Sequence, residues 1–186
     1  FIGAFAIDNK AIQLDGDNLY ETDSHTAFGV TMALLSNRIS YAFDLKGPSF
    51  TVDTACSASM TALHLAMQSL RNGDCEIALV GGANAMMTPH YPVVMSKGQF
   101  LSAHSRCKAF DADAGGYVRA EGAGMVLLKP LAEALRDGDH IHAVIVETGI
   151  NQDGQTKGIS LPNPDAQFRL LQQVYQRAGV PAEQLS

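Results

Sequence analysis

Residues 49–82, which read SFTVDTACSASMTALHLAMQSLRNGDCEIALVGG, decide the fold. Residues 49–54 are rich in β-branched and aromatic side chains and predict a strand. Residues 57–70 are rich in Ala, Leu and Met and are followed by Asn72-Gly73, so they predict a buried helix that ends at a glycine. Residues 77–80 predict a second, wholly apolar strand. A strand, a buried helix and a strand in this order form a βαβ unit, which is typical of an α/β fold.

The sequence on both sides of this unit predicts further α/β elements. Upstream, residues 1–7 predict a buried strand, and residues 24–36 predict a helix with Ser24 at its N-cap. Downstream, residues 86–121 form a long irregular stretch, of a length that is usually functional. A predicted strand, helix, strand, loop and helix then occupy residues 124–128, 131–136, 141–148, 151–164 and 165–178. The first strand starts without a lead-in and the chain stops just past a helix, so we interpret both ends as cuts through a larger fold.

Composition and charge exclude several classes of protein. Of 186 residues, 46% are hydrophobic and only 17% are charged, which argues against disorder. The net charge of −6 does not support a nucleic-acid-binding surface. No apolar run approaches the roughly 20 residues that span a membrane, so no membrane association is expected. Three cysteines do not make a disulfide scaffold, and they favour a reducing, cytoplasmic compartment.

Cys56 is the candidate nucleophile because it lies where the predicted strand turns abruptly into the buried helix. Its small neighbours permit a tight strand-to-helix turn, as in a nucleophile elbow. Free N–H groups and the helix dipole at such a position stabilise a thiolate, and the same N–H groups can receive the oxyanion of a thioester under attack. The alternative is a buried structural cysteine that acts as a small hydrophobic residue.

The other thiols and the histidines give no clear partner for Cys56. Cys75 and Cys107 lack a comparable setting, and the three cysteines show no zinc spacing, so no metal site is expected. His64 lies about 12 Å further along the same predicted helix, too far for contact with the sulfur, and is interpreted as a satisfied histidine. Four more histidines lie in the irregular stretch or at the start of a predicted strand, at His90, His104, His140 and His142.

Six colinear stretches carry a resemblance to a known family. Residues 47–59, GPSFTVDTACSAS, resemble the nucleophile motif of β-ketoacyl synthases, in the form found in modular type I polyketide synthases. The others are SNRISY at 36–41, GGAN at 81–84, RCKAFDAD at 106–113, GYVRAEGAG at 116–124 and NQDG at 151–154. The resemblance as a whole covers essentially all 186 residues.

The resemblance implies a thiolase-like α/β fold of two similar halves in five layers, α-β-α-β-α, which works as a homodimer. Residues 1–186 would then be an incomplete ketosynthase domain, comprising the end of the N-terminal half with the nucleophile and the start of the C-terminal half. It implies an acyltransferase that belongs to a multidomain synthase of polyketide biosynthesis.

The implied reaction is a decarboxylative Claisen condensation. An acyl chain passes from the phosphopantetheine of an acyl carrier protein to Cys56 and is then joined to a malonyl-type extender. The chain itself is expected to bind no cofactor, because loss of CO₂ supplies the carbanion and phosphopantetheine belongs to the carrier protein. Ser160 falls where the family often has a threonine beside the pantetheine arm, so it is a candidate substrate-binding residue.

The chain departs from the family pattern in one large respect. The two catalytic histidines of the family, and a lysine near the second, lie in motifs C-terminal to the last predicted helix, so this chain alone is expected to be inactive in condensation. Two alternatives stay open: a thiolase-type coenzyme A acyltransferase and a catalytically silent, ketosynthase-like scaffold. Asn151 and Asp153 are expected to hold their own loop, and Glu121 is expected to bind backbone N–H groups.

Overall fold

The computed structural model describes residues 1–5 and 7–184; Ala6 of the first predicted strand lies outside them, as do Leu185 and Ser186. Its sheet contains four strands in the order β2-β1-β3-β4. Strands β1, β2 and β3 are parallel, and β4 runs antiparallel to β3. Their bounds are β1 Ile2–Ala4, β2 Thr51–Val52, β3 Ala78–Asn84 and β4 Gly122–Leu128.

Helices connect and flank these strands. Within the described residues the α-helices are α1 Asp8–Gln13, α2 Ser24–Gly29, α3 Ala33–Ala42, α4 Ala58–Asn72, α5 His90–Lys97, α6 Leu131–Asp137 and α7 Pro164–Ala178. Short 3-10 turns occupy Leu19–Glu21, Ala55–Ser57 and Ala182–Gln184. None of these helices combines the length and the apolar character needed to cross a membrane.

Helix α4 packs directly on the sheet and forms the centre of the core. Ala62 and Ala66 are fully buried, and they cluster with Phe1, Ala78 and Val80. The predicted βαβ unit is confirmed, with β1 lying between its two parallel strands. Gly73 ends the helix in the left-handed conformation (φ 78°), as the sequence predicts.

The helix predicted over residues 24–36 is wrong as one element. The structure divides it into α2 and α3, with Val30 as the C-cap of α2. The N-cap is Asp23, not Ser24, because the Asp23 carboxylate accepts hydrogen bonds from the N–H groups of His25 and Thr26. The Thr26 hydroxyl accepts the N–H of Asp23 in return and completes a capping box.

The strand predicted over residues 141–148 is also wrong for the described chain. A strand needs a partner, and no described strand lies beside this segment. It is held by side chains instead: the Arg71 guanidinium binds the Glu147 carboxylate at 3.1 Å, and Arg177 donates to the carbonyl of Thr148 at 2.8 Å. The irregular stretch 86–121, in turn, contains helix α5.

Candidate active site around Cys56

Cys56 lies in a tight turn between β2 and α4. The turn is a single 3-10 turn over Ala55–Ser57, so Cys56 precedes the first α-helical residue, Ala58. Ala55 adopts φ 52°, a left-handed conformation that is costly for a residue with a Cβ. The carboxylate of Asp53 accepts the Ala55 N–H at 2.9 Å and supports this conformation. The side chain of Cys56 is exposed.

Hydroxyl groups tie this turn to the first turns of α4. The Ser57 hydroxyl donates to the carbonyl of Thr54 at 2.9 Å, and the Thr54 and Thr61 hydroxyls share a hydrogen bond of 3.0 Å. Thr61 is buried. Among the described residues, no group accepts a hydrogen bond from the Cys56 N–H. The turn is therefore fixed around an accessible thiol with an available backbone donor.

The register of the sheet places this turn at the edge where three parallel strands end. Gly3 of β1 lies opposite Val52 of β2 on one side and opposite Gly82 of β3 on the other. A Cβ at Gly82 would lie 3.1 Å from the Cβ of Ser59, so the start of α4 sits close to the middle of the sheet. The segments that follow β1, β2 and β3 emerge together at this edge, as in other parallel sheets with functional crevices.

Two carboxylates hold the segment that follows β3. Asp8 is buried and its Oδ2 accepts the N–H groups of Met87 and Thr88, both at 2.9 Å. The Glu121 carboxylate accepts the N–H of Met86 at 2.6 Å, which confirms its predicted structural role. The hydrogen bond from the Thr88 N–H is the main cause that lowers the pKa of Asp8 below the usual aspartate value, and it outweighs the opposing effect of burial. No local sequence pattern marks Asp8, because its partners are about 80 residues away.

An aromatic stack adds a third connection to the same segment. Tyr91, in the first turn of α5, lies edge-on to Phe5 with ring centroids 4.9 Å apart. The Arg119 guanidinium lies 5.7 Å from the centroid of the Tyr91 ring and donates to the Tyr117 hydroxyl at 3.0 Å. Tyr91, near the start of the irregular stretch 86–121, is therefore in contact with Arg119, near its end.

The histidines do not form a catalytic pair with Cys56 within the described residues. His64 shares a hydrogen bond of 2.8 Å with the Thr148 hydroxyl, which confirms that it is a satisfied histidine. The rings of His140 and His142 lie edge to face, 4.5 Å apart. His90 starts helix α5 instead of lying in a loop. In the part of the chain that the structure describes, no group of three His, Cys, Asp or Glu side chains is placed to hold a metal ion.

The three cysteines are free thiols in different environments. Cys56 and Cys107 are exposed, and the Cys107 sulfur accepts the Val118 N–H at 3.4 Å. Cys75 is partly buried, and this burial, followed by the negative charge of Asp74, raises the pKa of its thiol. Cys75 also lines a cleft between α3 and the start of β3, and Cys56 does not line that cleft.

Ser160 lies in an exposed turn near the C-terminal helix. The turn is closed by the Leu161 N–H, which donates to the carbonyl of Gly158 at 2.9 Å. The Ser160 hydroxyl makes no hydrogen bond to another described residue, so its role stays a prediction. Asn151 departs from expectation, since its amide donates to the carbonyl of Ala166 in α7 at 2.7 Å instead of holding its own loop.

Comparison with known proteins identifies the family of the chain. The β-ketoacyl synthase N-terminal domain matches residues 1–134, and the β-ketoacyl synthase C-terminal domain matches residues 142–186. The partially reducing polyketide synthase men1 of Menisporopsis theobromae is 55% identical over 152 residues, which are 82% of this chain and 6% of that protein. The cyclo-acetoacetyl-L-tryptophan synthase of Aspergillus oryzae is 48% identical over 180 residues, which are 97% of this chain and 5% of that protein.

Solved structures give the same result at the level of the fold. The oxazolomycin ketosynthase domain OzmH KS7 of Streptomyces albus JA3453 superposes with a TM-score of 0.89 at 42% identity, over 97% of this chain and 31% of that chain. The ketosynthase from module 6 of the bacillaene synthase of Bacillus subtilis 168 gives a TM-score of 0.86 at 37% identity, over 97% and 30%. The chain therefore spans about a third of the solved chains it matches and a much smaller share of the curated relatives.

Proposed function

The chain belongs to the β-ketoacyl synthase family and has its thiolase-like α/β fold, and we propose from this premise that it is part of a ketosynthase domain that carries the acyl-accepting nucleophile Cys56. Residues 1–186 supply the end of the N-terminal half and the start of the C-terminal half of that domain. The parent protein is a multidomain synthase of polyketide biosynthesis, because the curated relatives include polyketide synthases and a polyketide synthase-nonribosomal peptide synthetase.

The observation that supports this function most is the Cys56 turn. In the first half-reaction, the Cys56 thiolate attacks the carbonyl carbon of an acyl thioester on the phosphopantetheine of an acyl carrier protein. A new thioester forms at Cys56 as the carbon–sulfur bond to phosphopantetheine breaks, and phosphopantetheine leaves as a thiolate. The available Cys56 N–H can stabilise the oxyanion that develops during the attack, while the hydroxyl bonds of Thr54 and Ser57 keep the turn in place.

The second half-reaction forms the carbon–carbon bond. A malonyl-type extender on the carrier protein loses CO₂, and the electron pair of the broken bond attacks the acyl carbon at Cys56. The Cys56 thiolate leaves and the β-ketoacyl product stays on the carrier. We assign the decarboxylation to the family's histidines and lysine, which the resemblance places C-terminal to this chain.

The remaining features of the proposal concern partners and compartment. The synthase works as a homodimer with an acyl carrier protein that supplies the phosphopantetheine arm, and Ser160 contacts that arm. Three free thiols, two of them exposed, suit the reducing environment of the cytoplasm. A thiolase-type coenzyme A acyltransferase is not favoured, because the relatives include polyketide synthases.

Competitive loading of the complete ketosynthase domain tests this function. Carrier-bound and coenzyme A-bound forms of the same acyl thioester are offered to the domain, and acylation is followed by mass spectrometry. We expect the carrier-bound thioester to load at least ten times faster and Cys56→Ala to abolish loading, while the matched control Cys107→Ala loads normally. Faster loading from coenzyme A would favour the thiolase class.

A further inference from the structure

We propose that Asp8 is a positioning residue that fixes the segment after β3, at the sheet edge that also carries Cys56, and thereby sets which acyl chains the synthase accepts. The inference rests on the proposed function and concerns Asp8 and residues 86–88, which the motif resemblance does not include. It starts from an unusual set of contacts, in which three consecutive backbone N–H groups, those of Met86, Met87 and Thr88, all bind carboxylates.

Asp8 is the central group of these contacts. A single oxygen, Oδ2, receives two N–H groups at 2.9 Å, and successive N–H groups of this kind form a concave site that favours an anion. The Asp8 side chain is buried, so the bonds to it are screened little by solvent. Its carboxylate therefore decides where the backbone of Met87 and Thr88 lies.

The segment held by Asp8 leaves the sheet at the same edge as Cys56. Gly3, Val52 and Gly82 lie side by side in neighbouring parallel strands. Cys56 follows Val52 by four residues, Met86 follows Gly82 by four, and Asp8 follows Gly3 by five. The segment after β1 thus holds the segment after β3, and the turn with Cys56 emerges at the same edge of the sheet, next to the segment after β1.

The side chains carried by this segment suit an acyl chain. Met86 and Met87 are flexible and apolar, and Met87 is 52% exposed, so it is available for contact. Tyr91 continues the segment into α5 and is held between Phe5 and Arg119. A long acyl chain on Cys56 would contact these side chains, so moving the backbone at Met87 would alter its binding, whereas a two-carbon chain would not reach them.

The experiment compares acyl chains of two lengths on the complete ketosynthase domain. Acetyl- and octanoyl-carrier protein are used to load Cys56, and kcat and KM of loading are measured for wild type, Asp8→Ala, Asp8→Asn and Asp8→Glu. Asp17→Ala is the matched control, because Asp17 is exposed and lies near the same helix. The rate of iodoacetamide labelling at Cys56 reports the thiol independently of chain length, and thermal unfolding reports the fold.

We expect Asp8→Ala to raise KM for octanoyl-carrier protein about tenfold relative to acetyl-carrier protein, with little change in kcat or in iodoacetamide labelling. Asp8→Asn should keep most of the wild-type selectivity, because its amide oxygen can still accept both N–H groups. Asp8→Glu keeps the carboxylate but displaces it, so it should also change the ratio of the two KM values. If Asp8→Ala does not fold, the KM ratio of Asp8→Glu tests the positioning role.

An equal loss for both chain lengths, or an unchanged KM ratio in every folded variant, would overturn the positioning role and leave Asp8 as a structural residue. If wild-type Cys56 is loaded by neither carrier, the proposed function fails and this inference fails with it. Selective loading by wild type with no effect of Asp8 refutes the inference alone.

Discussion

At the scale of single residues, the nucleophile turn depends on Ala55. Its φ of 52° lies in the left-handed region, where a Cβ costs roughly 1–2 kcal/mol and a β-branched side chain costs more. The hydrogen bond from its N–H to Asp53 helps to maintain this conformation. The sequence predicts a tight turn of small residues here, but neither composition nor spacing predicts the backbone angle of a single alanine.

We therefore predict opposite effects for two substitutions at Ala55. Ala55→Val should lower the free energy of unfolding of the ketosynthase domain by about 1–3 kcal/mol, because valine tolerates this backbone conformation poorly. Ala55→Gly should be neutral or stabilising. Denaturant unfolding measures both, and Ala103→Val, at an exposed alanine outside the left-handed region, is the control. Equal stabilities of the Ala55→Val and Ala55→Gly variants would show that the turn is unstrained.

At the scale of elements, the site depends on how closely α4 approaches the sheet. A Cβ on Gly3 would overlap the backbone of Ala58 and Ser59, which cannot move aside as a side chain can. Ala58 itself is only 4% exposed. The close packing of the start of α4 against strand β1 therefore keeps the Cys56 turn at the carboxyl ends of the strands.

Gly3→Ala should destabilise the domain strongly, by about 3 kcal/mol or more, and Ala58→Val by about 1–3 kcal/mol, because both overpack this contact. Gly122→Ala is the matched control, since it is also a strand glycine and a Cβ there would meet nothing within 4 Å. Thermal or denaturant unfolding gives the comparison. A Gly3→Ala variant as stable as the Gly122→Ala variant would mean that α4 lies farther from the sheet than described.

The elements also show what the sequence could predict. Helix α4 and the strands beside it were predictable because burial imposes a continuous apolar pattern on local sequence. The apolar pattern does not predict the break between α2 and α3, because it continues past Gly29, Val30 and Thr31, residues of low helix propensity where α2 ends. The pairing of β1 between β2 and β3, and the contact of Asp8 with Thr88, join distant residues, which no local pattern records.

At the scale of the whole molecule, the chain leaves large apolar side chains exposed. They include Phe110, Phe168, Leu171 and the β4 residues Val126 and Leu127. Exposed apolar surface of this extent usually marks an interface, and β4 in addition presents a strand edge that can aggregate. The matched solved ketosynthases are about three times longer, which agrees with the proposal that further residues of the domain cover this surface.

We predict that the 186-residue chain alone is inactive in condensation. Decarboxylation develops negative charge that needs placed donors, and each such group typically contributes two to three orders of magnitude in rate. Malonyl-carrier protein and acyl-carrier protein are offered to this chain and to the complete domain, and CO₂ release is followed. Comparable turnover by the 186 residues would place the decarboxylating groups within them, with His90 and His104 as the first residues to test.

The most direct measurement of the central claim is the location of the acyl group after loading. The complete domain is incubated with octanoyl-carrier protein, digested, and the peptides that contain Cys56, Cys75 and Cys107 are compared by mass spectrometry. We predict one octanoyl group, on Cys56, and none on the partly buried Cys75 or the exposed Cys107. An octanoyl group on either of the other thiols, with Cys56 unmodified, would contradict it.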